Sequence, residues 1–457
     1  MKKITIISTI ILVFIQFSLH SNEILPKKTR KLNLKTAILI AQQNDVELNK
    51  LKFDSNVYHA QNEKAMKDFF PKLTSEFTRD NSVTFSNPRG TTIFSFYNSM
   101  ELNVYNRALI YNKKKAHSEI RLNMIQIEKR LNDLCKEVFT LYYSVFNLKI
   151  IVQIRKEEYL KAVEFYKLTE NRLKHKKVLP FDLLLSKGLM IQTKNNWVKA
   201  TYDYIEEKLN LMHKLNLRED IELIEEHAPT KPNSLKESIE LSLSQRPDIK
   251  EKYYDIKVKN ELYEIERSVF YPKVSLFSDL RLSSFNDVSL NERKEWSIFL
   301  TVSLALMDDV SVSTSGGYKR DYLMTNPKDS ESVKLSLFDG SSNIVNREKA
   351  KSNLKLTQLE MKDLEYKISR EIISSYHSFL KAKDDITLAK LNLKIGEGLV
   401  KKADAEYKLG KKGMEDIIEA KEKEILYKIE YQQINLKYKL AILSLKWAMG
   451  NLWKDFF

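Results

Sequence analysis

Few residues in this chain stand at spacings that could carry catalysis. Neighbouring carboxylates occur at Glu206-Glu207 and Glu225-Glu226, and paired acids are the usual equipment of general acid–base chemistry. Adjacent positions on a helix point in different directions, however, and both pairs lie among lysines, so they read as solvated faces. The seven histidines are dispersed, and the sequence has no His-Glu-x-x-His, no phosphate-cradling Gly-rich loop, no Gly-x-Ser-x-Gly and no cysteine cluster. Metal-assisted hydrolysis, nucleotide chemistry and serine-nucleophile chemistry are thus left without their groups. The single cysteine, Cys135, excludes an intramolecular disulfide and reads as a small buried apolar residue. The expectation is a protein that is not an enzyme and holds no cofactor or metal.

The elements that would position any functional group are long helices. Of 457 residues only 10 are Gly and 9 are Pro, well below average usage, which favours uninterrupted helix. With 43% hydrophobic and 30% charged residues, the chain is too apolar to be disordered and too charged for a polytopic helical membrane protein. Its net charge of +15 is spread through the helical segments, the pattern of solvated helix faces, so no nucleic-acid partner is expected. At the N-terminus Lys2 and Lys3 precede an apolar run from Ile4 to Phe17, followed by Ser18, Leu19, His20 and Ser21. That order is a secretory signal peptide, assigned to residues 1–21, and its removal leaves +13. No later run is long and apolar enough for a membrane helix, so the exported chain is periplasmic, secreted, or in the outer membrane as β structure.

The sequence is also written twice. Asn33-Leu34-Lys35-Thr36-Ala37-Ile38 recurs as Ser234-Leu235-Lys236-Glu237-Ser238-Ile239, and Phe70-Pro71-Lys72-Leu73 recurs as Tyr271-Pro272-Lys273-Val274, both at an offset of 201. Further on, Ala116 pairs with Ala350, Tyr142 with Tyr376 and Asp182 with Asp416 at an offset of 234. Residues 22–217 form the first repeat, 218–233 a Pro-containing connector, and 234–457 a second repeat. The second repeat is longer by about 33 residues lying between Pro272 and Phe338, enough for another hairpin or a long loop. Each repeat reads as a helix of about 35 residues ending before its Pro, an alternating region, a long helix and a last helix. The long helices cover about Arg107 to Leu173 and Ser342 to Leu409, and the last ones end near Leu217 and Trp447.

The alternating regions, about 72–105 and 273–338, carry period-two patterns. Trp296, Ile298, Leu300, Val302, Leu304 and Leu306 oppose Ser297, Thr301 and Ser303, and Phe94, Phe96, Met100, Leu102 and Val104 oppose Ser95, Tyr97, Ser99, Glu101 and Asn103. Such strands suit either a soluble sheet with one buried face or tilted strands crossing an outer membrane. Two hairpins cannot close a conducting barrel, so the membrane reading requires several chains.

This plan resembles the TolC-type outer-membrane efflux proteins, the outer membrane factors of tripartite pumps. The likeness lies in the duplication, the Phe-Pro or Tyr-Pro before each strand, Leu337-Phe338-Asp339-Gly340 entering a helix, and Tyr407-x-x-Gly410 followed by Asp416-Ile417-Ile418-Glu419-Ala420. It implies a mainly α fold with a membrane β-barrel: a homotrimer in which duplicated helix-hairpin-helix repeats build an α-helical tunnel topped by a shared twelve-stranded β-barrel. About 65 helical residues would reach roughly 95 Å, a length suited to a periplasm. The implied role is an outer-membrane exit duct, its helical body in the periplasm, passively conducting what a periplasmic adaptor and an inner-membrane pump deliver. The rival reading is a periplasmic or surface coiled-coil scaffold without a channel.

The resemblance also assigns residues. Asp416 and Glu419 match an acidic ring facing the lumen at the periplasmic entrance, where three copies would favour cations. Tyr407, Lys412 and Asp182 match contacts that hold the entrance shut, with Lys412 at a place where the family prototype has Arg. Lys176 and Gly410 match the adaptor-facing tip turns, Lys176 standing where the family has glycine.

Overall fold

The computed structural model describes residues 30–84, 87–176, 178–224, 234–286, 288–307, 310–321, 328–337, 341–409, 411, 413–450 and 452. The signal segment 1–21, most of the connector, Phe338-Asp339-Gly340, Gly410 and Lys412 lie outside the described residues. The first half holds β1 (Arg30–Leu32), α1 (Leu34–Asn44), α2 (Val46–Lys67), β2 (Lys72–Thr84), β3 (Asn87–Tyr105), α3 (Arg107–Lys174) and α4 (Pro180–Leu215). Then come β4 (Ile221–Leu223), α5 (Leu235–Gln245), α6 (Pro247–Arg267), a 3₁₀ turn (Ser268–Phe270), β5 (Lys273–Phe285), β6 (Arg293–Met307), β7 (Val310–Arg320), β8 (Lys328–Leu337), α7 (Ser341–Lys408) and α8 (Met414–Ala448).

The opening helix of each half is two helices, not the one of about 35 residues that the sequence suggests. Both begin with a capping box, Asn33 with Thr36 and Ser234 with Glu237, which satisfies amides at the first turn. The first then breaks at Asp45, whose backbone is extended (φ −67°, ψ 120°) and whose carboxylate accepts the Leu48 N–H at 2.8 Å, capping α2. The second breaks at Arg246 (φ −61°, ψ 129°), because Pro247 bars its predecessor from the α region.

Two compact units divide the described chain, one drawing on residues up to 50, 128–246 and from 366 on, the other on 51–127 and 247–365. In the first unit Leu134, Val138, Phe139 and Tyr142 of α3, Leu211 and Leu215 of α4, Ile368 and Ile372 of α7, and Ile442 and Leu445 of α8 are buried. Part of the presumed connector is structured: Ile221–Leu223 pairs in parallel with Arg30–Leu32. Tyr142 pins that pairing, its hydroxyl lying 3.1 Å from the Leu32 carbonyl and 2.5 Å from that of Ile224. Leu452, beyond α8, donates its N–H to the Asn132 side-chain oxygen at 3.1 Å.

The second unit holds an antiparallel sheet of order β2-β3-β5-β6-β7-β8. Its helices are joined by polar contacts: Arg107 donates to Glu264 at 2.8 Å and stacks 3.8 Å above the Tyr271 ring, and Ser118 donates to Glu261 at 3.1 Å. Among the described residues, the longer β region of the second half holds two further strands, β7 and β8. The sheet has six strands where a twelve-stranded trimer needs four per chain.

Candidate functional site: helix tips and an inverted sheet

The turns between long helices are built alike, and their matched acids do the same work. At the first, α4 starts with Pro180 in its first turn, and the Asp182 carboxylate accepts the Leu179 N–H at 2.8 Å. At the second, the Asp416 carboxylate accepts the Gly413 N–H at 3.1 Å ahead of α8. Each aspartate is the third residue of its helix, reaching back to the residue before it. A carboxylate there satisfies an otherwise unpaired amide and faces the positive end of the helix dipole. Glu419, one turn further on, is exposed and accepts from Lys423 Nζ at 2.5 Å, an ion pair that holds the Lys423 ammonium above its ordinary pKa. Asp416 and Glu419 therefore have local partners within one chain.

Tyr407 and Asp182, two of the three residues that the resemblance assigns to closure, each meet another partner. The Tyr407 hydroxyl accepts from Arg172 of α3 at 2.8 Å, and the guanidinium also lies 5.7 Å from the Tyr407 ring centre. Asp182 turns to its own helix start, and Lys412 lies outside the described residues. In the sequence Arg172 reads as an ordinary basic residue in the last turn of a helix. The duplication does carry a hint, since Arg172 is equivalent to Glu406, the neighbour of Tyr407. Beneath this contact Ala403, Ile417 and Ala420 are buried against Val400 and Tyr407, so the apolar side of α8 is turned inward between its two acids. Lys176 keeps the left-handed geometry of the glycine expected there, at φ 54°. At the other turn Lys411 N–H bonds back to the Glu406 carbonyl at 2.9 Å, the six-to-one bond of a Schellman stop.

The sheet of the second unit is inside out by the standards of a water-soluble fold. Strand register puts Leu73, Phe77, Leu280, Ile298 and Leu300 on one face, and all five are exposed. The opposite face carries Ser95, Ser275, Ser283 and Ser297, which are buried. There Asp279 accepts hydrogen bonds from Tyr97 at 2.7 Å and from Ser297 at 3.2 Å. Apolar outside and polar inside is the pattern of a strand wall facing lipid.

Nothing else among the described residues offers chemistry. No group of His, Cys, Asp and Glu is placed to hold a metal ion, and no helix is long and apolar enough to cross a membrane. Burial pushes the Cys135 thiol up to about 12, so it is no nucleophile at neutral pH.

No family model matches the chain, and no curated protein matches it. Solved structures do. CusC, studied for folding and transmembrane channel formation, is 17% identical with a TM-score of 0.75, covering 91% of each chain. The Campylobacter jejuni CmeC outer membrane channel is 15% identical, with a TM-score of 0.71 over 92% of this chain and 86% of its own. The outer membrane protein VceC of Vibrio cholerae is 12% identical, with a TM-score of 0.72 over 91% of this chain and 96% of its own. The chain has the fold of these outer-membrane channels.

Proposed function

We propose that this protein is an outer-membrane exit duct of a tripartite efflux or secretion system. Residues 1–21 direct export. The sheet lies in outer-membrane lipid and the helices stand in the periplasm as a homotrimer. A periplasmic adaptor meets the tip turns around Lys176 and Gly410, and an inner-membrane pump supplies the energy, so the duct itself is passive and not an enzyme. The observation that carries this reading is the exposed apolar face of the sheet backed by buried serines. A periplasmic scaffold would have no use for it.

At the periplasmic entrance, Asp416 and Glu419 from three copies set a cation preference. Tyr407, with Arg172 as its partner and with Lys412 and Asp182 nearby in sequence or by repeat, holds the entrance narrow. Planar-bilayer conductance of the detergent-extracted protein, beside the Asp416→Asn, Glu419→Gln double variant, tests both statements. Small cation-selective steps whose reversal potential moves toward zero in the variant are expected. Unchanged selectivity removes the acidic entrance but keeps the duct, and an absence of steps from folded protein removes the duct.

A further inference from the structure

We infer that β7 and β8 belong to the pore wall, so that three copies close an eighteen-stranded barrel in which β8 of one copy pairs with β2 of the next. The inference rests on the trimeric-duct reading and adds to it the partner strand and the width of the wall.

The first ground is register. Val312 pairs with Leu304 and Leu335, and Val310 pairs with Leu337. Other rows on the same face pair Val302 with Val274, Leu300 with Leu276 and Leu276 with Leu102, and Leu282 with Phe96 and Phe96 with Phe77. On this face Val310, Val312, Val333, Leu335 and Leu337 carry apolar side chains onto β7 and β8 at the end of the hairpin nearest the helices, while Arg320, Asp329 and Glu331 share the face toward its other end. Val333 and Leu335 on β8 are as exposed as Leu73 and Phe77 on β2. The other face continues as Ser311, Ser313 and Ser315 on β7, opposite Ser336, Lys334 and Ser332 on β8. A hairpin lying outside the wall would have no reason to keep this division, because a shift of one residue would reverse it.

The second ground is attachment. At Gly317 a Cβ would fall 1.9 Å from the Ile298 carbonyl oxygen, so β7 lies against β6 at a spacing open to glycine alone. Closing a twelve-stranded barrel through β6 would strip β7 from a ladder running from Trp296↔Arg320 to Met307↔Val310. The third ground is direction. Five successive antiparallel pairings leave β2 and β8 running oppositely, so rotation-related copies meet edge to edge as an antiparallel pair. In the single chain both edges carry unpaired backbone beside exposed apolar side chains. That arrangement is costly in lipid, where backbone groups must be satisfied, and prone to aggregate in water. Pairing with a second copy satisfies both edges. A barrel of eighteen strands has an aqueous lumen, and β7 and β8 add serine and lysine to its lining, which leaves the helical entrance to limit flow.

Inter-copy disulfide formation tests this in outer membranes carrying the full chain in a Cys135→Ala background. Ser332→Cys on β8 is combined in turn with Thr74→Cys and Thr78→Cys on β2, all on the polar face. Ser303→Cys on β6, with the same two partners, is the competing set. Oxidation is expected to shift the Ser332 set from monomer to a reducible trimer on denaturing gels, while the Ser303 set stays monomeric. Linkage through Ser303 and not Ser332 overturns the proposal in favour of twelve strands. An unheated trimer that never links through Ser332 also overturns it, while leaving the duct reading intact. A Ser332 ladder that stops at the dimer, or a protein that is monomeric both heated and unheated, overturns the trimer on which the proposal rests.

Discussion

Asp45 and Arg246 stand 201 positions apart, at equivalent breaks in the two halves, and carry opposite charges. The chain answers each locally. The Asp45 carboxylate meets Arg130 Nη2 at 2.7 Å and Lys214 Nζ at 3.6 Å, and both cations also reach Glu137. Arg246 meets Glu371 at 2.7 Å and the Ala448 carbonyl at 3.2 Å, and Glu371 is the repeat equivalent of Glu137 at an offset of 234. Burial alone would raise the Asp45 pKa, but hydrogen bonds from Arg130 and the Leu48 amide, with the charges of Arg130 and Lys214, hold it below the ordinary carboxylate value. A depressed carboxylate contributes stability that is present above its ordinary pKa and lost as pH falls through the lower native value. Asp45→Asn should therefore cost about 2–4 kcal/mol at neutral pH, since it leaves Arg130 half-buried beside a neutral amide. In urea melts the gap between variant and parent should narrow below about pH 4, and a gap independent of pH would show that the loss lies in the cap alone.

At the scale of elements, the two tips differ by one residue type with a calculable effect. Lys176 sits at φ 54°, where a side chain other than glycine costs on the order of 1 kcal/mol. Lys176→Gly should stabilise the turn by about 0.5–1 kcal/mol, read as a rise in denaturation midpoint, and a fall would mean that the lysine side chain anchors the tip. Much at this scale was legible in the sequence. The long helices end within a residue or so of their expected limits because Pro180 and Gly413 punctuate them. The break at Asp45 was hidden, since apolar spacing continues across it from Ala41 to Leu48 and the cause is a cap and an ion pair that form only on folding. Strands β7 and β8 are not marked in the sequence, because serines and the Gly316-Gly317 pair dilute their alternation. At the tips the sequence marked Asp182 and Asp416 as equivalents but gave no sign that both would turn back on their own helix starts. Nor did it mark Arg172, whose partner Tyr407 is 235 positions away.

For the whole molecule, the proposed duct turns on which face of the sheet meets lipid. The charged residues sit mainly on the helices, while the outward face of the sheet, around Ile298, Leu300 and Leu335, is apolar and exposed. Leu300 lies midway along β6, and its neighbour Thr301 points to the opposite face beside Ser275 and Ser315. If the sheet is a wall in a bilayer, Leu300→Lys places an ammonium near the midplane and should cost about 2–4 kcal/mol of folding into vesicles. Thr301→Lys places the same charge in a wet lumen and should cost under about 1 kcal/mol. Parallel urea titrations of the two variants refolded into lipid vesicles make the comparison with chain length, charge and strand propensity nearly matched. Equal costs would mean that the sheet has no lipid side. A larger cost for Thr301→Lys would mean that the serine face is a dry core and the apolar face is covered by protein, which would return the molecule to the periplasm as a scaffold.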